Sequence, residues 1–63
     1  MLVTLKFLEN DVLYCIDPLE AGFKIEDEKL AIYQEGKFLG YFASVVGIDE
    51  VDFLKIAEDK LKQ

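Results

Sequence analysis

Carboxylates are the only chemically capable side chains present in number. Thirteen Asp and Glu stand against seven Lys, and the chain has no His, no Arg and no Trp. Two acidic clusters stand out, Glu26-Asp27-Glu28 and Asp49-Glu50-Asp52. Paired carboxyls can cleave a glycosidic bond, but a chain of 63 residues leaves little volume for a substrate cleft. Both clusters also have local explanations, the first as a turn and the second as a helix start, where negative charge complements the macrodipole. Neither has the alternating ligands and distal glutamate of a calcium-binding EF-hand loop.

Nucleophiles are scarce. Ser44 and Thr4 have no histidine to serve as a base. A lysine could serve instead, yet no motif sets one beside Ser44, which reads as the end of a strand. The single Cys15 has no partner for an internal disulfide, and zinc sites draw on several Cys and His. Cys15 lies in the apolar run Val12–Ile16 and reads as a small buried hydrophobe, with a reactive or intermolecular thiol as the alternative. Gly36-Lys37-Phe38-Leu39-Gly40 lacks the spacing and the Gly-Lys-Ser/Thr ending of a phosphate-binding loop. These residues imply a protein that is not an enzyme and uses neither cofactor nor metal.

The net charge of −6 narrows the partners. Phosphate backbones are bound through basic patches, and arginine is their preferred reader, so direct nucleic-acid binding is not expected. The charge suits solubility or a basic partner. No apolar run approaches the ~20 residues of a membrane helix. Met1–Leu8 is apolar, but Lys6 interrupts it, and it lacks the basic region and cleavage site of a signal peptide. A cytoplasmic location fits the lone free cysteine.

One pattern change organises the chain as a single domain, residues 1–63. Near Gly47 the apolar period switches from 2 to 3.6. Met1–Leu8 reads as a strand with Val3, Leu5 and Phe7 on one face. Val12–Ile16 is apolar on both faces, the pattern of an interior strand, and Asp17-Pro18 ends it because proline has no N–H for a ladder. Phe23–Glu26 and Lys29–Tyr33 form a hairpin around Asp27-Glu28, pairing Glu26 with Lys29, Ile25 with Leu30 and Phe23 with Ile32.

A third strand, Lys37–Ala43, follows Gln34-Glu35-Gly36. A two-residue loop there would place Glu35 at positive φ, which non-glycine residues resist. The expected loop therefore has three residues and pairs Tyr33 with Lys37 and Ile32 with Phe38. It sorts Leu30, Ile32, Phe38, Gly40 and Phe42 to one face, and Lys29, Ala31, Tyr33, Lys37, Leu39 and Tyr41 to the other. Gly40, inside the strand, reads as a bend or a close approach of the helix.

The last element is a helix capped by Asp49. Ile48 and Phe53 form a hydrophobic staple, and Val51, Leu54, Ala57 and Leu61 define the apolar stripe, widened by Phe53 and Ile56. Glu58 and Lys62 form an i, i+4 pair. The expected class is α+β: a small antiparallel sheet of about five strands (β-β-β-β-β-α) with one C-terminal helix packed on one face. An SH3-like small barrel with a C-terminal helix is the alternative.

So small a core is marginal without a metal, a disulfide or oligomerisation, which leaves self-association as the available support. Tyr33, Leu39 and Tyr41, rimmed by Lys29 and Lys37, have the make-up of a protein interface. Phe53 or Ile56, whichever the helix leaves outside its stripe, would join that contact. The expectation is a non-catalytic interaction or regulatory module that forms a homodimer and meets a protein partner. Two other classes compete: an acidic inhibitor that mimics nucleic acid to block a DNA-binding protein, and a ligand binder or enzyme whose site forms across a dimer interface.

Overall fold

The N-terminal strand lies inside the sheet, flanked by a strand on each side. The structure, a computed structural model, describes residues 1–63. Its elements are β1 (Val3–Phe7), β2 (Leu13–Ile16), β3 (Gly22–Glu26), β4 (Lys29–Gln34), β5 (Lys37–Val46) and α1 (Glu50–Leu61). The strands form one five-stranded sheet in the order β2-β1-β5-β4-β3, and every pairing is antiparallel. The class is the expected α+β one. The sheet is open, with β2 and β3 at its edges, so the barrel alternative is not needed.

β5 ties the halves together. Its ten residues pair β4 along the first part and β1 along the second. Register shifts interrupt both ladders, between Ile32 and Tyr33 on the β4 side and between Lys6 and Phe7 on the β1 side. Each shift leaves one β5 residue unpaired, Leu39 and Ala43 respectively, as in a β-bulge. Beside the second bulge, Leu8 N–H donates to Tyr41 C=O at 2.9 Å and the Glu9 carboxylate accepts from Tyr41 N–H at 3.0 Å.

The core lies between the sheet and the helix. Val3, Leu5, Phe7, Ile16, Ala21, Phe23, Ile32, Phe53 and Ala57 form one buried cluster. Phe53 is its centre, stacked on Phe42 at 5.1 Å and edge-on to Phe23 at 5.8 Å. Gly40 is close-packed, as its place in the strand implied, but against Phe7 rather than the helix. A Cβ there would stand 2.6 Å from the Phe7 ring.

The helix begins as expected, with the Asp49 carboxylate accepting from Val51 N–H at 2.9 Å. Glu58 and Lys62 pair at 3.1 Å. Its buried stripe, however, is Phe53 and Ala57 with Ile56 alongside, while Val51, Leu54 and Leu61 are exposed. The rotation follows size, because an aromatic ring gains more from burial than Val or Leu.

Two further expectations are corrected. β2 is not interior but at an edge, and Cys15 is exposed. The β4–β5 loop has two residues, not three: Gln34 pairs with Lys37 and Tyr33 with Phe38. Glu35 takes φ 52° and Gly36 φ 81°, the left-handed pair of a type I′ turn, whose twist matches that of the strands. The β3–β4 turn does the same with Asp27 at φ 53° and Glu28 at φ 63°, and there the pairing is the expected one, Glu26 with Lys29 through Phe23 with Ile32. In both turns hairpin closure outweighs the steric resistance of non-glycine residues.

Candidate protein interface

The face of β3-β4-β5 turned away from the helix carries a compact aromatic group. Pleat alternation places Lys24 and Glu26 of β3, Lys29, Ala31 and Tyr33 of β4, and Phe38 and Tyr41 of β5 on it. The pairings Lys24–Ala31, Ala31–Tyr41 and Tyr33–Phe38 bring them together. Phe38 sits between the tyrosines, 5.6 Å from the Tyr33 ring and 5.1 Å from the Tyr41 ring, inclined at 64° to each. Edge-to-face pairs of this kind contribute ~0.5–1.5 kcal/mol beyond area burial. Ala31 is fully buried among these neighbours, whereas Phe38 is 46% exposed.

Charges frame the rings. Lys24 Nζ lies 5.5 Å from the Tyr33 ring centre and Lys29 Nζ 5.0 Å from that of Tyr41, within cation–π range. The Tyr33 hydroxyl donates to Glu26 Oε2 at 2.6 Å, and the Tyr41 hydroxyl reaches Glu26 Oε1 at 3.5 Å. Tyr33 loses its proton less readily than an ordinary tyrosine, chiefly because its hydroxyl is hydrogen-bonded to Glu26 and next because it is partly desolvated. The Tyr41 hydroxyl is pushed up as well, first by desolvation and then by the negative charges of Glu26 and Asp27. An open depression of about 510 Å³ adjoins Tyr33, lined in part by Glu20, Lys24 and Glu35.

Of the expected interface residues, Tyr33 and Tyr41 share this face and Leu39 does not. The bulge turns Leu39 to pack against the core cluster and gives its place to Phe38. The extra residue of this hairpin lies at the Leu39 bulge instead of in the loop, which reverses the facing of Lys37, Phe38 and Leu39 relative to expectation and leaves Tyr41 where it was expected. Phe53 is wholly internal and Ile56 half-buried on the helix, so neither joins the group.

The other singled-out residues are dispersed. Asp27 and Glu28 occupy their turn, Asp49 caps the helix, and Ser44 lies exposed in β5 opposite Lys6. No three His, Cys, Asp or Glu side chains converge as a metal site would require. No helix is long and apolar enough to cross a membrane. Comparison with family models, curated proteins and solved structures gave no match to this chain.

Proposed function

We propose that this chain is a non-catalytic, self-associating protein-interaction module of a reducing, cytoplasmic setting, and that Tyr33, Phe38 and Tyr41 form its contact with a protein partner. The observation that carries the reading is the exposed Phe38 ring held edge-on between two tyrosines on the sheet face opposite the helix. Aromatic anchors with a charged rim dominate binding energy where they occur in interfaces. The group is also preorganised: Glu26 fixes the tyrosine hydroxyls and the lysine stems flank the rings, so little side-chain freedom is lost on docking. The exposed thiol of Cys15 suits a compartment that keeps cysteines reduced.

Mimicry of nucleic acid has less support, since lysines stand among the carboxylates. Lys6 pairs with Asp11, Lys62 with Glu58, and Lys29 sits opposite Glu26. A phosphate-like surface needs acids unrelieved by nearby cations.

Capture from the native host at low salt, followed by titration of the purified partner, tests the reading. The Phe38→Ala chain should keep its fold and bind at least tenfold more weakly, as a truncated aromatic anchor does. The Tyr33→Ala/Tyr41→Ala chain should lose the partner. Unchanged affinity in both, with circular dichroism intact, removes this face from the function.

A further inference from the structure

β2 has the side-chain pattern of an interior strand and the position of an edge strand. Leu13, Tyr14 and Cys15 are all exposed, as is Val12 before them, so both faces are apolar along a free edge. Edge strands in isolated domains are ordinarily guarded by lysine, proline, a bulge or a covering element. The run Val12–Ile16 has no charge, proline or bulge, its residues as far as Cys15 are uncovered, and of the strands the helix backbone approaches only β3 and β5. We infer that β2 pairs antiparallel with β2 of a second copy about a two-fold axis, joining two sheets into one. The inference rests on the self-associating part of the proposed function and assigns it a surface.

The backbone geometry fixes what such a pairing can be. Leu8 N–H points to β5. Alternation along β1 then turns the polar groups of Leu5 and Val3 toward β2, where they meet Tyr14 and Ile16. The free N–H and C=O groups on the outer side of β2 therefore belong to Leu13 and Cys15. A two-fold pairing in which Leu13 of one copy faces Cys15 of the other satisfies all of them reciprocally. It sets Tyr14 against Tyr14 on the axis and Val12 against Ile16, so that every side-chain pair along the run is apolar.

Charge agrees with a second copy as the occupant. In this register Asp11 of one copy lies near Asp17 of the other. Each acid already holds a cation, Lys6 Nζ at 3.5 Å from Asp11 and the Met1 ammonium at 3.7 Å from Asp17. Each end of the paired strands thus gathers two carboxylates and two cations, a balanced group rather than a repulsive one. Two short edges bury less than the ~800 Å² per partner of a standard interface, so a dissociation constant on the order of micromolar is expected.

Light scattering and sedimentation over a concentration series test this. The wild-type chain should be a dimer that dissociates on dilution. Leu13→Lys, at an exposed position, should melt like the wild type yet dimerise at least tenfold more weakly. In a Cys15→Ser background, Tyr14→Cys should form an intermolecular disulfide under mild oxidation, because residues facing each other on the axis fall within disulfide reach. A dimer of unchanged affinity in Leu13→Lys overturns the β2 contact while leaving self-association standing. A dimer sensitive to Leu13→Lys but without the cross-link overturns the register. A wild-type chain that stays monomeric up to about 1 mM overturns both this inference and the self-associating reading, and leaves the edge to a strand of another protein.

Discussion

The two edges of the sheet are finished differently. β3 carries Lys24 and Glu26 on its outer face, where they serve Tyr33 and Tyr41. On its inner face Phe23 is buried against Phe53, with Lys60 Nζ 5.9 Å from its ring. Only Ile25 is left open, in a groove of about 270 Å³ shared with Leu54 and Leu61. β2 has no charged residue and no helix over it. The contrast teaches that one short helix guards one edge, and that Lys24, Lys29 and Lys60 stand on that same side. Twelve helical residues span ~18 Å at 1.5 Å per residue, which reaches β3 and β5 but leaves β2 outside.

Removing the guard should give the largest effect. Phe53→Ala deletes the ring that packs on both Phe23 and Phe42 and should cost ~3–5 kcal/mol. A domain of this size holds little more than that in reserve, so urea titration should find the variant largely unfolded. A loss below about 1 kcal/mol would mean that the helix does not hold β3 in place and that the edges are more alike than they look. A smaller, stabilising change sharpens the contrast at the guarded hairpin. Glu28→Gly relieves a left-handed non-glycine residue at φ 63° and should raise stability by ~0.5–1 kcal/mol, read as a higher urea midpoint at unchanged slope.

The smallest effect concerns the tyrosines above β3. Both Tyr33 and Tyr41 hold their protons more tightly in the fold than the ordinary value of 10.0. Between the unfolded and folded values the native state binds more protons than the unfolded chain. The stability these groups contribute is therefore fully present and independent of pH below pH ~10, and is lost as pH rises through the tyrosine range. Tyr33→Phe should flatten that alkaline decline in thermal melts and lower stability at neutral pH by the loss of the Glu26 hydrogen bond. An unaltered decline would show that the Glu26 contact does not influence Tyr33.

Legibility varied along the chain with the range of the interactions involved. The Asp49 cap, the Glu58–Lys62 pair and the Glu26–Lys29 turn register were readable because each is decided within a few residues. Tyr33 and Tyr41 were readable as one face because strand alternation carries through β4 and resumes after the bulge in β5. Phe38 was not, since the bulge at Leu39 shifts the phase between them, and a bulge has no distinctive composition. The aromatic group was thus two-thirds visible, with its middle member hidden by one unpaired residue.

By itself, the amino-acid order determined that there would be five strands and a helix, where most of them turn, and that β2 would be apolar on both faces. The tertiary structure alone decided that β1 takes the place beside β5 and leaves β2 outside. It also decided that the helix rolls to bury Phe53 instead of Val51 and Leu54. The physical reason is common to both. Alternation and capping are satisfied locally, whereas neighbour choice and helix rotation depend on which large side chains can fill one small interior together, and Phe7, Phe23, Phe42 and Phe53 meet there only after the chain has closed.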